Sequence, residues 1–212
     1  VSGEPILFLG SGPSLDDWIP LLKSWKGAIG CSTSQLLLLE YLGITPTYLF
    51  LIDCDPNPDI IKLVGDYKGD QSKTIFITHP QIPREYLEIW KGPVRFFRML
   101  DPGDDFSTKY VPMAMGWLNK QMAPQLGIGS YVLNSGNVVN AAIPVLGGIG
   151  YSPVFLCGYD LGYPGKVYRG QSVKRVNGVL ELQPAMGMPS QKTRRIKYGP
   201  GINGVWSDAL CH

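Results

Sequence analysis

At 212 residues the chain can bury roughly 70% of its unfolded surface. With 44% hydrophobic and only 17% charged residues, it is too apolar to be disordered throughout. The net charge is +2, but it is uneven: Lys166, Arg169, Lys174, Arg175, Lys192, Arg194, Arg195 and Lys197 fall between Tyr163 and Pro200, against the single acid Glu181. That segment reads either as a solvated loop or as a basic lid over a phosphorylated ligand. Thin aromatic interleaving and the lack of any recognition motif argue against a nucleic-acid partner.

Strand and helix signals alternate along the chain. Residues 6–9 are an apolar run predicted as the first strand, and 16–25 a helix with Ser14 or Asp16 as cap. A second strand is expected at 27–31, then a helix at 34–42 ended by Gly43. Residues 47–52 form an unbroken apolar third strand, expected to be buried on both faces. A short helix (58–64), a fourth strand (74–78), another helix (84–90) and a fifth strand (94–99) follow. Residues 101–129 read as irregular, with a helix near 115–122. Asn134 or Ser135 is expected to cap a long apolar helix running to Leu146, and a sixth strand covers 153–157. Beyond Tyr163 the periodicity fades into loops, and 205–210 resembles the cap and first turn of a further helix.

Strands separated by helices imply right-handed crossovers and a mainly parallel sheet. The expected fold class is therefore α/β: a single three-layer Rossmann-like domain over residues 1–212, with a loop-rich, basic C-terminal segment from 163. The chain begins with Val and stops where a helix starts, so it is expected to be a piece of a longer protein. Four cysteines without CxxC spacing read as buried reduced thiols of a cytoplasmic protein. No secretory signal is visible, and the longest apolar run, Leu36 to Leu39, is far too short to span a bilayer.

In parallel sheets, ligands bind beyond the carboxyl ends of the strands, so the residues that follow strands carry the most weight. Gly10-Ser11-Gly12-Pro13-Ser14 follows the first strand. Its glycines permit close backbone approach, and a helix N-terminus offers free N–H groups to a phosphate. It lacks both the third Gly of GxGxxG and the Lys of a P-loop. Asp53-Cys54-Asp55 follows the third strand and places two carboxylates where they can share a divalent cation such as Mg²⁺ with phosphates. Asn134-Ser135-Gly136-Asn137 opens the long helix. Gly158-Tyr159-Asp160-Leu161-Gly162-Tyr163 follows the sixth strand, with Asp160 placed for ribose hydroxyls or a metal and Tyr163 for a base or phosphate. Each of these also has a plain reading as a turn or cap. His79, at the end of the fourth strand, is a candidate base or a structural turn residue. With only two histidines in the chain, a Ser/His/Asp or Cys/His triad is disfavoured, as is a zinc site.

Taken together and in this order, GSGPSLD after the first strand, Asp53 after the third, and SGNVVNAAIPVLGGIGYSPVFLCGYDLGY resemble the MptE-like 6-hydroxymethylpterin diphosphokinase family. That family includes the motility-associated-factor glycosyltransferases, which modify flagellin; bacterial sialyltransferases that use CMP-sialic acid look like more distant relatives. The resemblance covers roughly residues 5–170. It implies that Gly10, Ser11, Gly12, Pro13 and Ser14 bind nucleotide phosphate, and that Ser32 stands where the sialyltransferases place a donor-contacting Asn. It implies further that Asp53 lies at the nucleotide or metal, that Asn134, Ser135 and Gly136 face the donor, and that Asp160 faces the ribose. Relatives usually carry a His after the D-L-x-Y segment. Here the nearby position is Tyr168, and no His occurs between His79 and His212.

Three functions follow as expectations. The first is a glycosyltransferase moving a sugar from a nucleotide-activated, CMP-sugar-like donor to a glycan or protein acceptor. The second is a Mg²⁺-dependent diphosphokinase acting on a hydroxymethylpterin with ATP. The third is a non-catalytic nucleotide-binding domain. In each the partner is a small-molecule nucleotide; Asp160, His79 and Tyr168 are the candidate catalytic residues, and Asp53 and Asp55 the candidate metal ligands.

Overall fold

In the computed structural model, residues 2–97, 99–100, 132–133, 137–160, 167–187, 193–198 and 202–208 are described. Six strands form one parallel sheet: β1 (Ile6–Leu9), β2 (Ala28–Ser32), β3 (Tyr48–Phe50), β4 (Ile75–Thr78), β5 (Val94–Phe96) and β8 (Val154–Cys157). Their order is β5-β4-β3-β2-β1-β8. Two short strands, β6 (Met99–Leu100) and β7 (Val132–Leu133), pair with each other outside that sheet. The chain therefore steps outward in one direction from β1 to β5 and then returns to the opposite side of β1. Every pairing within the sheet is parallel, as the alternation of elements requires.

β1 shows how the sequence builds the layers. All four of its residues are buried, because strands on both sides and helices on both faces exclude water. Leu7 and Leu9 point to one face. There they join Leu15 and Leu22 of α1 (Leu15–Leu22), Leu36 to Leu39 of α2 (Leu36–Tyr41), Val64 of α3 (Pro58–Asp66) and Tyr86 of α4 (Arg84–Ile89). Ile6 and Phe8 point to the other face, against Val139, Ala142 and Leu146 of α5 (Val138–Ile149). Each such apolar side chain contributes about 1.5–3 kcal/mol on burial. Phe8 and Phe50 add an edge-to-face ring contact at 5.3 Å.

Several expectations change. The long helix is capped not by Asn134 or Ser135 but by Asn137, whose Oδ1 accepts the N–H of Val139 at 3.1 Å. Ser14 occupies the N-cap position of α1, yet neither it nor Asp16 caps the helix with its side chain. Its backbone is already helical there, and the preceding Pro13 pre-sets the turn.

The largest change concerns the segment after 163, which contains paired strands rather than loops. β10 (Ser172–Val176) and β11 (Val179–Gln183) form an antiparallel hairpin, β9 (Val167–Arg169) pairs with β12 (Met186–Gly187), and β13 (Thr193–Tyr198) pairs with β14 (Ile202–Asp208). β14 also replaces the helix start expected at 205–210. The β10–β11 hairpin turns through Asn177 (φ +49) and Gly178 (φ +83), the two left-handed residues that a two-residue primed turn demands. Val176-Asn177-Gly178-Val179 spells that signal out, but the surrounding run of basic residues hid it. The predicted helix at 115–122 lies outside the described residues.

Among the described residues no helix is long and apolar enough to cross a membrane. Cys31 and Cys157 are buried free thiols, and burial pushes the thiol of each upward. Cys54 is exposed, contrary to expectation. Cys211 lies outside the described residues.

Candidate functional site

The strand order reverses between β1 and β8, and a parallel sheet opens a crevice beyond its carboxyl edge at that point. The two segments that leave the sheet there are the glycine loop, residues 10–14, and Gly158-Tyr159-Asp160. They are in direct contact. Gly10 N–H donates to the Cys157 carbonyl at 2.8 Å and Gly12 N–H to the Gly158 carbonyl at 2.7 Å. Ser14 N–H, at the mouth of α1, donates to Asp160 Oδ2 at 3.0 Å. On the far side, Tyr159 Oη donates to Asn140 Oδ1 at 2.8 Å, joining the same loop to the first turn of α5.

This packing accounts for the glycines. A Cβ on Gly10 would lie 2.4 Å from the Gly158 carbonyl oxygen, and one on Gly12 would lie 2.1 Å from Asp160 Oδ2. Gly158 (φ +70) is in a left-handed conformation and has Gly10 and Leu15 against it. The glycine loop is thus shaped first by close contact with the β8 loop. The N–H groups of Gly10, Gly12 and Ser14 that sequence reasoning offered to a phosphate already have intramolecular acceptors. The carboxylate of Asp160 stands where an anion is favoured, at the N-terminus of a helix. Its other oxygen makes no hydrogen bond among the described residues.

A second wall was missed by sequence reasoning. Gly170 N–H donates to the Ser11 carbonyl at 3.2 Å, and Gln171 N–H donates to Asp16 Oδ1 at 2.7 Å. The turn between β9 and β10 therefore lies against the outer side of the glycine loop. The hairpin that follows is anchored on the helical layer. Val173 is 3% exposed in the core, and Arg175 donates to the Asp66 carbonyl, to the Gly178 carbonyl and to the Glu40 carboxylate. Arg175 and Glu40 are only 14% and 16% exposed. At least this member of the basic segment is consumed in an internal ion pair. The sequence-visible sign of this wall was the Asn177-Gly178 turn signal of its hairpin.

Asp53, Cys54, Asp55 and His79 lie at the ends of β3 and β4. As the chain leaves β3, Thr78 Oγ1 donates to the Leu51 carbonyl at 2.8 Å, and His79 Nε2, 3.0 Å from the Ile52 carbonyl, acts as donor there. Tyr86 Oη accepts the Asn57 N–H and donates to the Asp55 carbonyl. These bonds pin a loop that carries two exposed carboxylates. His79 itself is 1% exposed, and its Nδ1 has no hydrogen-bond partner among the described residues. Burial lowers its basicity, opposed by its bond to Ile52 and by the nearby Asp53. Desolvation holds the Asp53 carboxyl above its ordinary range although the residue as a whole is exposed; the His79 charge opposes the rise and the Asp55 charge adds to it. His79 thus braces this loop from within. Among the described residues no group of three His, Cys, Asp or Glu side chains can hold a metal ion. Asp53 and Asp55 alone do not make a protein cage for Mg²⁺.

Ser32 ends β2 on the same edge of the sheet, 8% exposed and without a side-chain capping bond. Asn134, Ser135, Gly136, Tyr163 and His212 lie outside the described residues, and for Tyr168 only the backbone, within β9, is described.

The profile of the MptE-like family, "6-hydroxymethylpterin diphosphokinase MptE-like", matches residues 1–166. The chain belongs to the MptE-like family. No curated protein matches it. Its fold is similar to that of a solved MAf glycosyltransferase from Magnetospirillum magneticum AMB-1, with a TM-score of 0.63 at 18% identity over 99% of this chain. The chain spans 28% of the length of that protein. At that identity the likeness establishes the shared α/β architecture, in agreement with the parallel sheet described above. For the MptE-like chain, the matched stretch contains the glycine loop, Asp53 and Asp160, but ends before the β10–β11 hairpin.

Proposed function

We propose that this MptE-like chain is the nucleotide-binding part of a transferase, and that it takes a nucleotide-activated, CMP-like sugar donor for transfer to a glycan or protein acceptor. The observation that carries this reading is the contact of the glycine loop with Asp160 at the one point where the strand order reverses. Asp160 spends one carboxylate oxygen on Ser14 N–H, which orients the other to accept from paired hydroxyls such as those of a ribose. A carboxylate accepting a hydroxyl proton forms the stronger, charge-assisted kind of hydrogen bond. The leaving nucleotide is an anion, and the amides at the loop are already engaged. Its charge then falls to the basic residues between 163 and 200 other than Arg169 and Arg175, which have partners within the protein.

A second reading, an ATP-dependent hydroxymethylpterin diphosphokinase, is favoured by the description of the family itself. It gives Asp53 and Asp55 the task of holding Mg²⁺ together with the phosphates of the ligand, which would complete a coordination shell that the protein alone does not. Thermal-shift titration with CMP, UDP, GDP and ATP, each with and without Mg²⁺, separates the two. Stabilisation by CMP without metal supports the sugar-transfer reading. A shift that requires both ATP and Mg²⁺ transfers the assignment to the diphosphokinase. No shift with any nucleotide overturns both.

A further inference from the structure

Arg175 and Glu40 lie on the helical layer, away from the glycine loop, yet one continuous strand joins them to it. We infer that the Glu40–Arg175 ion pair and Asp16 are positioning residues of the ligand crevice: they hold the β9–β10 turn against the glycine loop and so set the loop's shape from outside. The crevice as a nucleotide site rests on the function proposed above; the mechanical coupling does not.

The connection is short and stiff. Gln171 is four residues before Arg175, about 14 Å of extended chain, and nearly all of that span is β10, paired residue by residue with β11 from Ser172↔Gln183 to Val176↔Val179. A paired strand has no slack to absorb a displacement at one end. At the far end the guanidinium is held by three separate acceptors, on α2, at the end of α3 and in its own hairpin turn. Because both partners are largely shielded from water, removing either leaves a poorly compensated charge in the helical layer, so the pair is costly to break. At the near end the contact is equally tight. A Cβ on Gly170 would meet Asp16 Oδ1 at 2.7 Å and the Gly12 carbonyl oxygen at 3.2 Å. The glycine loop is thus clasped between the β8 loop on one side and the hairpin on the other, and only the first clasp is encoded next to it in the sheet.

Hydrogen exchange of the Ser14, Gly170 and Gln171 amides, read together with nucleotide affinity, tests this. In Glu40→Gln and Arg175→Lys the exchange of these three amides is expected to rise at least about tenfold while core-strand amides stay protected, and the affinity for whichever nucleotide the parent binds is expected to fall about tenfold. Asp16→Ala is expected to produce the same local loss, and Asp16→Asn to restore it, since its Oδ1 accepts the same Gln171 bond. The Asp16 pair decides the matter if the buried-pair variants do not fold. Unchanged exchange at all three amides, or equal loss in Asp16→Ala and Asp16→Asn, overturns the inference. If the parent binds no nucleotide, the nucleotide reading fails while the exchange measurement still decides the coupling.

Discussion

The two candidate regions on the carboxyl edge of the sheet are built from opposite materials. At β1 and β8 almost everything is backbone: glycines packed at contact distance, amides with nearby acceptors, and a single carboxylate that closes the turn. At β3 and β4 the backbone is braced from below by Thr78, His79 and Tyr86, and what faces outward is titratable side chain. The first region can discriminate by shape and tolerates almost no added atom. The second can hold charge or a proton and tolerates substitution. The proposed function assigns binding to the first region and any metal or acid–base assistance to the second.

Mutations can break this division, and the largest effect is expected at the glycine loop. Gly10→Ala forces a Cβ onto the Gly158 carbonyl oxygen, where neither partner is a flexible side chain. The expected loss is about 2–3 kcal/mol in denaturant unfolding, the usual cost of overpacking a tight contact. A loss below about 1 kcal/mol would mean that the two loops are not in register as described. Asp160→Ala comes next. Nucleotide affinity is expected to fall about tenfold in a titration while the cooperative unfolding transition persists, because the residue is exposed and its one described bond, from Ser14 N–H, lies at the protein surface. Unchanged affinity would remove Asp160 from the site.

His79 should reveal itself through pH. Burial depresses its folded-state pKa below the ordinary 6.5, so the unfolded chain binds its proton more readily. Stability is then present above about pH 6.5 and declines as the pH falls below it, approaching at most about 1.4 kcal/mol per pH unit from this one group. With only two histidines in the chain, His79→Gln should flatten most of that slope when unfolding is measured at pH 7 and pH 5.5. A slope that survives the substitution would show that His79 is not the buried brace. The smallest effect is expected from Asp53→Asn, whose melting temperature should stay within about 2 °C of the parent, as at most exposed positions. What it should abolish is any part of a nucleotide thermal shift that depends on Mg²⁺. Retention of that part would release Asp53 from the metal reading.

Much of the sheet was legible in advance because most of its strands are short, mainly apolar runs near Gly, Pro or Asp; β1, β4 and β8 fall where those runs lie. The cap of α5 was displaced by two or three residues because Asn134, Ser135 and Asn137 are equally good caps locally, and the packing of Val139, Ala142 and Leu146 on Phe8 selects the start. The hairpin of β10 and β11 was read as a loop because Lys174 and Arg175 sit in the middle of its first strand. Charged residues argue for solvent unless a partner is known, and Arg175's partner Glu40 is 135 residues away.

The sequence by itself determined the parallel α/β layering and the positions of the glycine loop, Asp53 and Asp160 at strand ends, because periodicity and turn chemistry act over a few residues. Only the tertiary structure decided the strand order that sets β8 beside β1, and with it the contact of Asp160 with Ser14 N–H. It alone decided that Arg175 serves the fold rather than a ligand. Those outcomes depend on groups far apart in the chain, whose hydrogen bonds and charges find partners only after the layers have closed.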